Sequence, residues 1–250
     1  MKPDSKLRRL RKFAGGSVAL LVAAALVAPL QVLAYNQNRV ATDASGKPVR
    51  ISGSVVVIEP DIELSEVLAG GAEEPRRQWT EAARRLYPAE VQRRLSAAGI
   101  EQRPDYDIPH DLPADSRLGQ IIRLNEAVSV SVMAYTSPGN ELATKRGKRL
   151  DWTLGPGVDE LRKVTGADYA LFTYVRDSYT SGGRAALRIA TLLLFGGDIG
   201  GGRQVGVTTL VDLRTGQVVW FNFLAKQSGD LRDAQGAAET AQRMLKGLPL

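Results

Sequence analysis

The sequence predicts an α/β domain: a mixed sheet that ends in an antiparallel hairpin, with helices packed against it and a signal peptide ahead of it. Three observations carry that expectation. Short β-branched runs bounded by glycine or proline read as buried strands. Longer stretches repeat apolar residues at three- and four-residue steps, the period of an amphipathic helix. Ahead of both stands a basic start followed by an uncharged apolar run.

That leading segment holds Lys2, Lys6, Arg8, Arg9, Arg11 and Lys12 against Asp4, and no charge falls between Phe13 and Leu30. Val32-Leu33-Ala34 then offers the small residues that signal peptidase prefers, so cleavage is expected after Ala34. Left uncleaved, the same residues 13–33 would form a membrane anchor, and the protein is placed in the periplasm or on the inner membrane facing it. The chain contains no cysteine, which excludes a lipobox, a disulfide framework and thiolate metal sites.

Charge follows from the same division. The chain carries 33 basic and 27 acidic residues, of which six and one lie in the first 34, leaving 27 against 26. A nearly neutral remainder lacks the electrostatic footprint of a nucleic-acid binder. Residues 35–50 are polar and without period, a flexible lead; residues 51–250 are expected to form a single α/β domain with 1–34 standing apart.

Within that domain Val55–Ile58, set between Gly53 and Pro60, reads as the first strand. From residue 75 to 98, Trp79, Ala82, Ala83, Leu86, Val91 and Leu95 give one apolar helical face with arginines opposite. Pro88 is expected to kink that helix or to start a second one. Pro104, Pro109 and Pro113 mark a surface excursion over 102–116. Residues 118–135 begin with helical spacing and end, from Ala127 to Ala134, in strand-like alternation, and the junction stays open. A helix over 156–165, closed by Gly166, leads to a buried strand from Tyr169 to Val175. Residues 205–224 form a hairpin turning at Arg214-Thr215-Gly216-Gln217, and a terminal helix over 230–246 packs back on the sheet, with Asp230 and Asp233 at its first turn. The helices are expected mainly on one face.

The hairpin Thr208–Trp220, together with Val-Thr-Gly-Ala-Asp-Tyr-Ala at 164–170, resembles the TolB-type amino-terminal domain superfamily of bacterial envelope proteins, which includes the curli secretion lipoprotein. The resemblance covers the strand near Val55, residues 155–179 and the hairpin through the last helix. It implies scaffolding, pore assembly or partner activation without catalysis. Many such domains are lipidated, and this chain has no cysteine to carry the lipid.

Chemistry-bearing residues are sparse. His110 is the single histidine and lies beside Asp111, so a triad would have to be built on that pair; no Gly-x-Ser-x-Gly elbow accompanies it. One histidine is too few for a transition-metal site, and no metal or cofactor is expected. Glu59, Asp61 and Glu63 alternate beyond the first strand, with Glu66 close behind, and suit edge solvation as well as acid–base work. The glycine-rich stretch 196–202 matches neither a dinucleotide fingerprint nor a phosphate-binding loop and reads as a flexible connector. Ala185–Phe195 is an apolar run interrupted by Arg188, too short to cross a bilayer as a helix. It either packs on the sheet between two strands or meets a membrane or partner, with Arg188, Leu192, Leu194 and Phe195 as the interface candidates.

The functional expectation is a non-catalytic cell-envelope interaction or assembly module that self-associates or serves a larger envelope complex. Two alternatives stay open: an exported hydrolase using loop carboxylates and His110, and a subunit associated with a secretion pore.

Overall fold

In the computed structural model, residues 35–113, 115–135, 140, 142, 150–197, 200–227 and 230–250 are described. The signal segment and the cleavage site at Ala34 lie outside the described residues. The sheet has seven strands: β1 (Tyr35–Val40), β2 (Val55–Val57), β3 (Asp61–Val67), β4 (Glu73–Pro75), β5 (Tyr169–Thr180), β6 (Gln204–Asp212) and β7 (Val218–Lys226). Their order is β1-β7-β6-β5-β3-β4, with β2 paired to β5 in line with β3. The sheet is mixed, because β2 and β3 run parallel to β5 while β1, β6, β7 and β4 pair antiparallel to their neighbours. Pro60, which has no N–H to give a ladder, falls at the break between β2 and β3.

Among the described residues there are five α-helices: α1 (Arg77–Ala97), α2 (Arg117–Tyr135), α3 (Asp159–Thr165), α4 (Gly182–Phe195) and α5 (Ala234–Met244). Two pack on each face of the sheet, which corrects the expectation of helices mainly on one face. On one face α1 and α5 bury Tyr87, Val91, Leu95, Ala237 and Met244 against Ile62, Leu171, Leu210, Trp220 and Leu224. On the other, α2 and α3 bury Ile121, Val132 and Leu161 against Ala170, Phe172, Val207, Val211 and Phe221. The alternation of β5 and β6 supplies both cores, as expected of central strands covered on both sides.

Several expectations are corrected locally. Pro88 lies inside α1, so of the two expectations the start of a second helix is overturned; an interior proline costs roughly 3 kcal/mol, and burial of Tyr87 and Val91 on either side of it holds the helix together. The strand-like half of 118–135 is helical to Tyr135. Its buried stripe is Ile121, Asn125, Ser129 and Val132, a helical spacing in which two members are polar; Asn125 accepts a hydrogen bond from Thr209 Oγ1 at 2.8 Å. Residues 35–40, expected to lack regular structure, form edge strand β1. Their backbone pairs with β7, and Asn36 and Asn38 donate to the carbonyls of Arg243 (2.9 Å) and Lys246 (3.2 Å) at the end of α5. The opening of the proline-rich excursion also pairs, since Arg103 and Tyr106 donate to Val55 and Val57 of β2.

Other expectations hold. The hairpin turns through Gly216 at φ 77°, a left-handed position that glycine tolerates. Gly166 closes α3 in the left-handed conformation. Asp233 caps α5 by accepting from the N–H of Gly236 at 2.8 Å, whereas Asp230 turns instead to Arg232 at 2.7 Å.

Candidate functional site

The residues that stand out physically are those of α4. The helix leaves the end of β5 through Ser181, whose hydroxyl accepts from the N–H of Arg184 at 3.2 Å, and ends at Gly196 in the left-handed conformation. None of its residues is buried. Its half-buried side is the polar one, made of Arg184, Arg188 and Thr191 with Ala185. Arg184 reaches the carbonyls of Gly200 (3.2 Å) and Ala69 (3.3 Å), which ties the helix to the body through its basic residues. The exposed large side chains are apolar: Leu187 and Ile189, and around the C-terminal turn Leu192, Leu193, Leu194 and Phe195, these last four exposed at 47%, 65%, 74% and 81%. Six large apolar side chains exposed on one 14-residue helix are a cluster rather than the singly scattered apolar residues of an ordinary surface.

Three of the four interface candidates, Leu192, Leu194 and Phe195, lie on that outward surface, while Arg188 belongs to the half-buried side. The packing of this run between two strands, one of the two sequence readings, is not what the fold adopts. Leu187, Ile189 and Leu193 complete the surface. The glycine-rich connector is fixed where it returns to the sheet: Gly202 donates to Thr180 Oγ1 at 2.8 Å, and a Cβ there would fall 2.1 Å from the carbonyl oxygen of Ser178.

His110 and Asp111 sit in an exposed turn of the loop before α2. Neither lines the open pocket of about 570 Å³ formed by Arg117, Leu154, Pro156, Gly157, Asp159, Glu160 and Lys163. The charges of that pocket pair within it, Lys163 lying 2.9 Å from Asp159 and 3.8 Å from Glu160. Three of the four carboxylates singled out in the sequence are held by neighbouring groups. Glu59 accepts from the N–H of Ile108 at 2.9 Å, Asp61 holds Arg176 through both oxygens at 2.9 Å, and Glu66 pairs with Arg76. Among the described residues, no group of three or more His, Cys, Asp or Glu is placed to hold a metal ion.

A polar cluster that sequence reading missed lies under α5. Asp177, on β5, is 1% exposed. Its Oδ2 accepts from Tyr179 Oη (2.5 Å) and Gln204 Nε2 (2.7 Å), while Oδ1 has no hydrogen-bond partner among the described residues. The N–H of Leu231 donates to Tyr179 Oη at 2.8 Å, and the Arg232 guanidinium stacks 3.9 Å from the Tyr179 ring. Burial pushes the Asp177 carboxyl above the usual aspartate range and pushes Tyr179 up as well, the latter reinforced by the neighbouring carboxylate. Burial likewise pushes the Lys226 ammonium down. The cluster is closed to solvent and ties β5, β6 and the start of α5 together, a structural role.

No family model matches the sequence, and no curated protein matches it either. Among solved structures, two crystal forms of the PelC dodecamer from Paraburkholderia phytofirmans, one of them a single-substitution variant, are similar at 12% identity and a TM-score of 0.39. The similarity covers 87% of this chain and 98% and 99% of theirs. A likeness at that level leaves function to be argued from the geometry of this chain alone.

Proposed function

We propose that the chain is a non-catalytic cell-envelope interaction or assembly module, exported by its N-terminal segment and docked to its surroundings through α4. One observation carries the reading: an otherwise well-packed α/β domain turns the apolar side of a whole helix to solvent and its arginines inward. Folding gains nothing from that orientation, since the hydrophobic effect favours the reverse. Clusters of large exposed apolar side chains mark contact surfaces. The basic, then uncharged, first 34 residues support an envelope location. The catalytic alternative draws no support from His110 and Asp111, which lie exposed on a loop and do not line the described pocket.

Cell fractionation of the expressed full chain, intact-mass analysis and size-exclusion chromatography with light scattering test the reading together. An envelope-fraction species, processed after Ala34 or retained on the membrane, is expected. Full-length protein recovered in the cytoplasm would sink it, as would a turnover activity lost on His110→Ala.

A further inference from the structure

We infer that the C-terminal turn of α4 inserts into the hydrocarbon boundary of one bilayer leaflet. The inference rests on the reading of the chain as an envelope module and names what α4 docks to. Leu192, Leu193, Leu194 and Phe195 are consecutive, so at 100° per residue their side chains point around nearly the whole circumference of the helix. All four are exposed, increasingly so toward the end. The helix thus ends in a plug that is apolar on every side, where α1, for instance, has an apolar stripe. A stripe suits a flat partner surface; a plug needs an enclosure, and a fluid medium supplies one without a matching shape.

The described pocket of a second copy offers a poor enclosure. The pocket formed by Arg117, Asp159, Glu160 and Lys163 is open and charged, and an apolar plug placed there would strip water from ion pairs without replacing it. The bilayer fits on length as well. Phe195 stands seven residues beyond Arg188, roughly 10 Å along a helix axis, comparable with the roughly 5–10 Å to which interfacial helices bury their apolar side chains. Full crossing is not implied: among the described residues no helix is long and apolar enough to span a membrane.

The absence of cysteine gives a direct test, because Phe195→Cys creates a single thiol in the full chain. Labelled there with an environment-sensitive fluorophore, the protein is mixed with vesicles of phosphatidylcholine alone or with one-third phosphatidylglycerol, at low and high salt. A several-fold emission rise is expected in both vesicle types. Quenching by nitroxides on the upper acyl chain should accompany it, and a label at Arg85→Cys on α1 should not respond. Adding Leu192→Asp and Leu193→Asp to the labelled chain should abolish the rise while leaving the urea midpoint of unfolding unchanged. A label that stays in water although the protein floats with the vesicles would overturn the insertion and leave the envelope module standing. A label already shielded without lipid, in an oligomer seen by light scattering, would overturn it in favour of a second copy. Insertion by a chain that remains cytoplasmic in cells would defeat the module reading alone.

Discussion

Helices α1 and α4 are both amphipathic and lie in opposite senses. In α1, Ala83, Tyr87, Val91 and Leu95 recur every four residues and are buried, while Arg77, Arg85 and Arg93 face water. In α4 the arginines face the body and the leucines face out. Since burial of a leucine-sized side chain contributes about 1.5–3 kcal/mol, α1 is held by its apolar side. Helix α4 is held by its cap, its tethers to backbone carbonyls and its two ends. Amphipathicity alone therefore does not say which side of a helix is inward; the neighbours decide. β3 and α5 are close enough to take α1's stripe, and among the described residues no apolar element buries the leucines of α4.

The contrast is broken most severely at the buried side. Tyr87→Ala is expected to lose about 3–5 kcal/mol, the range for truncating a buried aromatic, because the ring is fully buried in the core under α1. Its hydroxyl lies against Thr173 and Thr208, and burial pushes it up to about 12. Urea unfolding should show a lower midpoint with little change in slope. If the loss is under 1 kcal/mol, α1 is not anchored by this stripe.

Asp168 comes next. Its Oδ2 accepts from the N–H and hydroxyl of Ser54 at 3.0 and 3.2 Å, fixing the entry to β2. Gly53 at φ 154° leaves room for that carboxylate, which would meet a Cβ at 2.5 Å. The backbone hydrogen bond from Ser54 holds the Asp168 carboxyl below the usual range. A lowered folded value means stability present above the ordinary aspartate pKa of about 4 and lost as pH falls through the folded value. Asp168→Asn should cost about 1 kcal/mol at neutral pH, a charge-assisted bond discounted for partial exposure. The deficit should shrink in acid. A deficit that does not depend on pH would mean that the amide fails on shape rather than charge.

The elements that sequence reading recovers are those whose own residues carry the signal: the 205–224 hairpin, α1, α3, α5 and the strands around Val55 and Tyr169. Those it misses are specified by partners. β1 has no apolar alternation because its asparagines bind the carbonyls at the end of α5, and α2 hides its period behind two buried polar residues, Asn125, which accepts from Thr209, and Ser129. The α4 surface was half legible. Its composition marks the leucines, but nothing local distinguishes an outward from an inward leucine. Asp177 gives no local signal either, since Tyr179, Gln204 and Leu231 reach it from three segments.

Asp177 turns the comparison around, as a polar group on the buried side. Desolvation raises its folded pKa above the unfolded one, so its charge opposes folding at high pH, and that cost is relieved as pH falls through the raised folded value toward about 4. Asp177→Asn keeps an acceptor for Tyr179 and Gln204 and carries no charge. It should raise the urea midpoint at pH 8, and the gain should vanish near pH 4. A lower midpoint at pH 8 would show that attraction to Lys226, itself pushed down by burial, outweighs the desolvation.

The smallest effect on folding is expected at the outward side. Leu194→Ser removes an apolar side chain that is 74% exposed and touches little of the body, so its folding free energy should stay within about 0.5 kcal/mol of the parent. The same substitution on the buried stripe, Leu95→Ser, removes a side chain 1% exposed and leaves a hydroxyl in the core, which should cost several-fold more. Measured side by side by thermal and urea unfolding, the pair isolates orientation from chemistry, because both are leucine-to-serine changes in a helix. If Leu194→Ser unfolds as readily as Leu95→Ser, the C-terminal turn of α4 is packed in solution and its apolar side is not available for docking. If it is neutral for folding and weakens association, the leucines of α4 are maintained for contact rather than for stability.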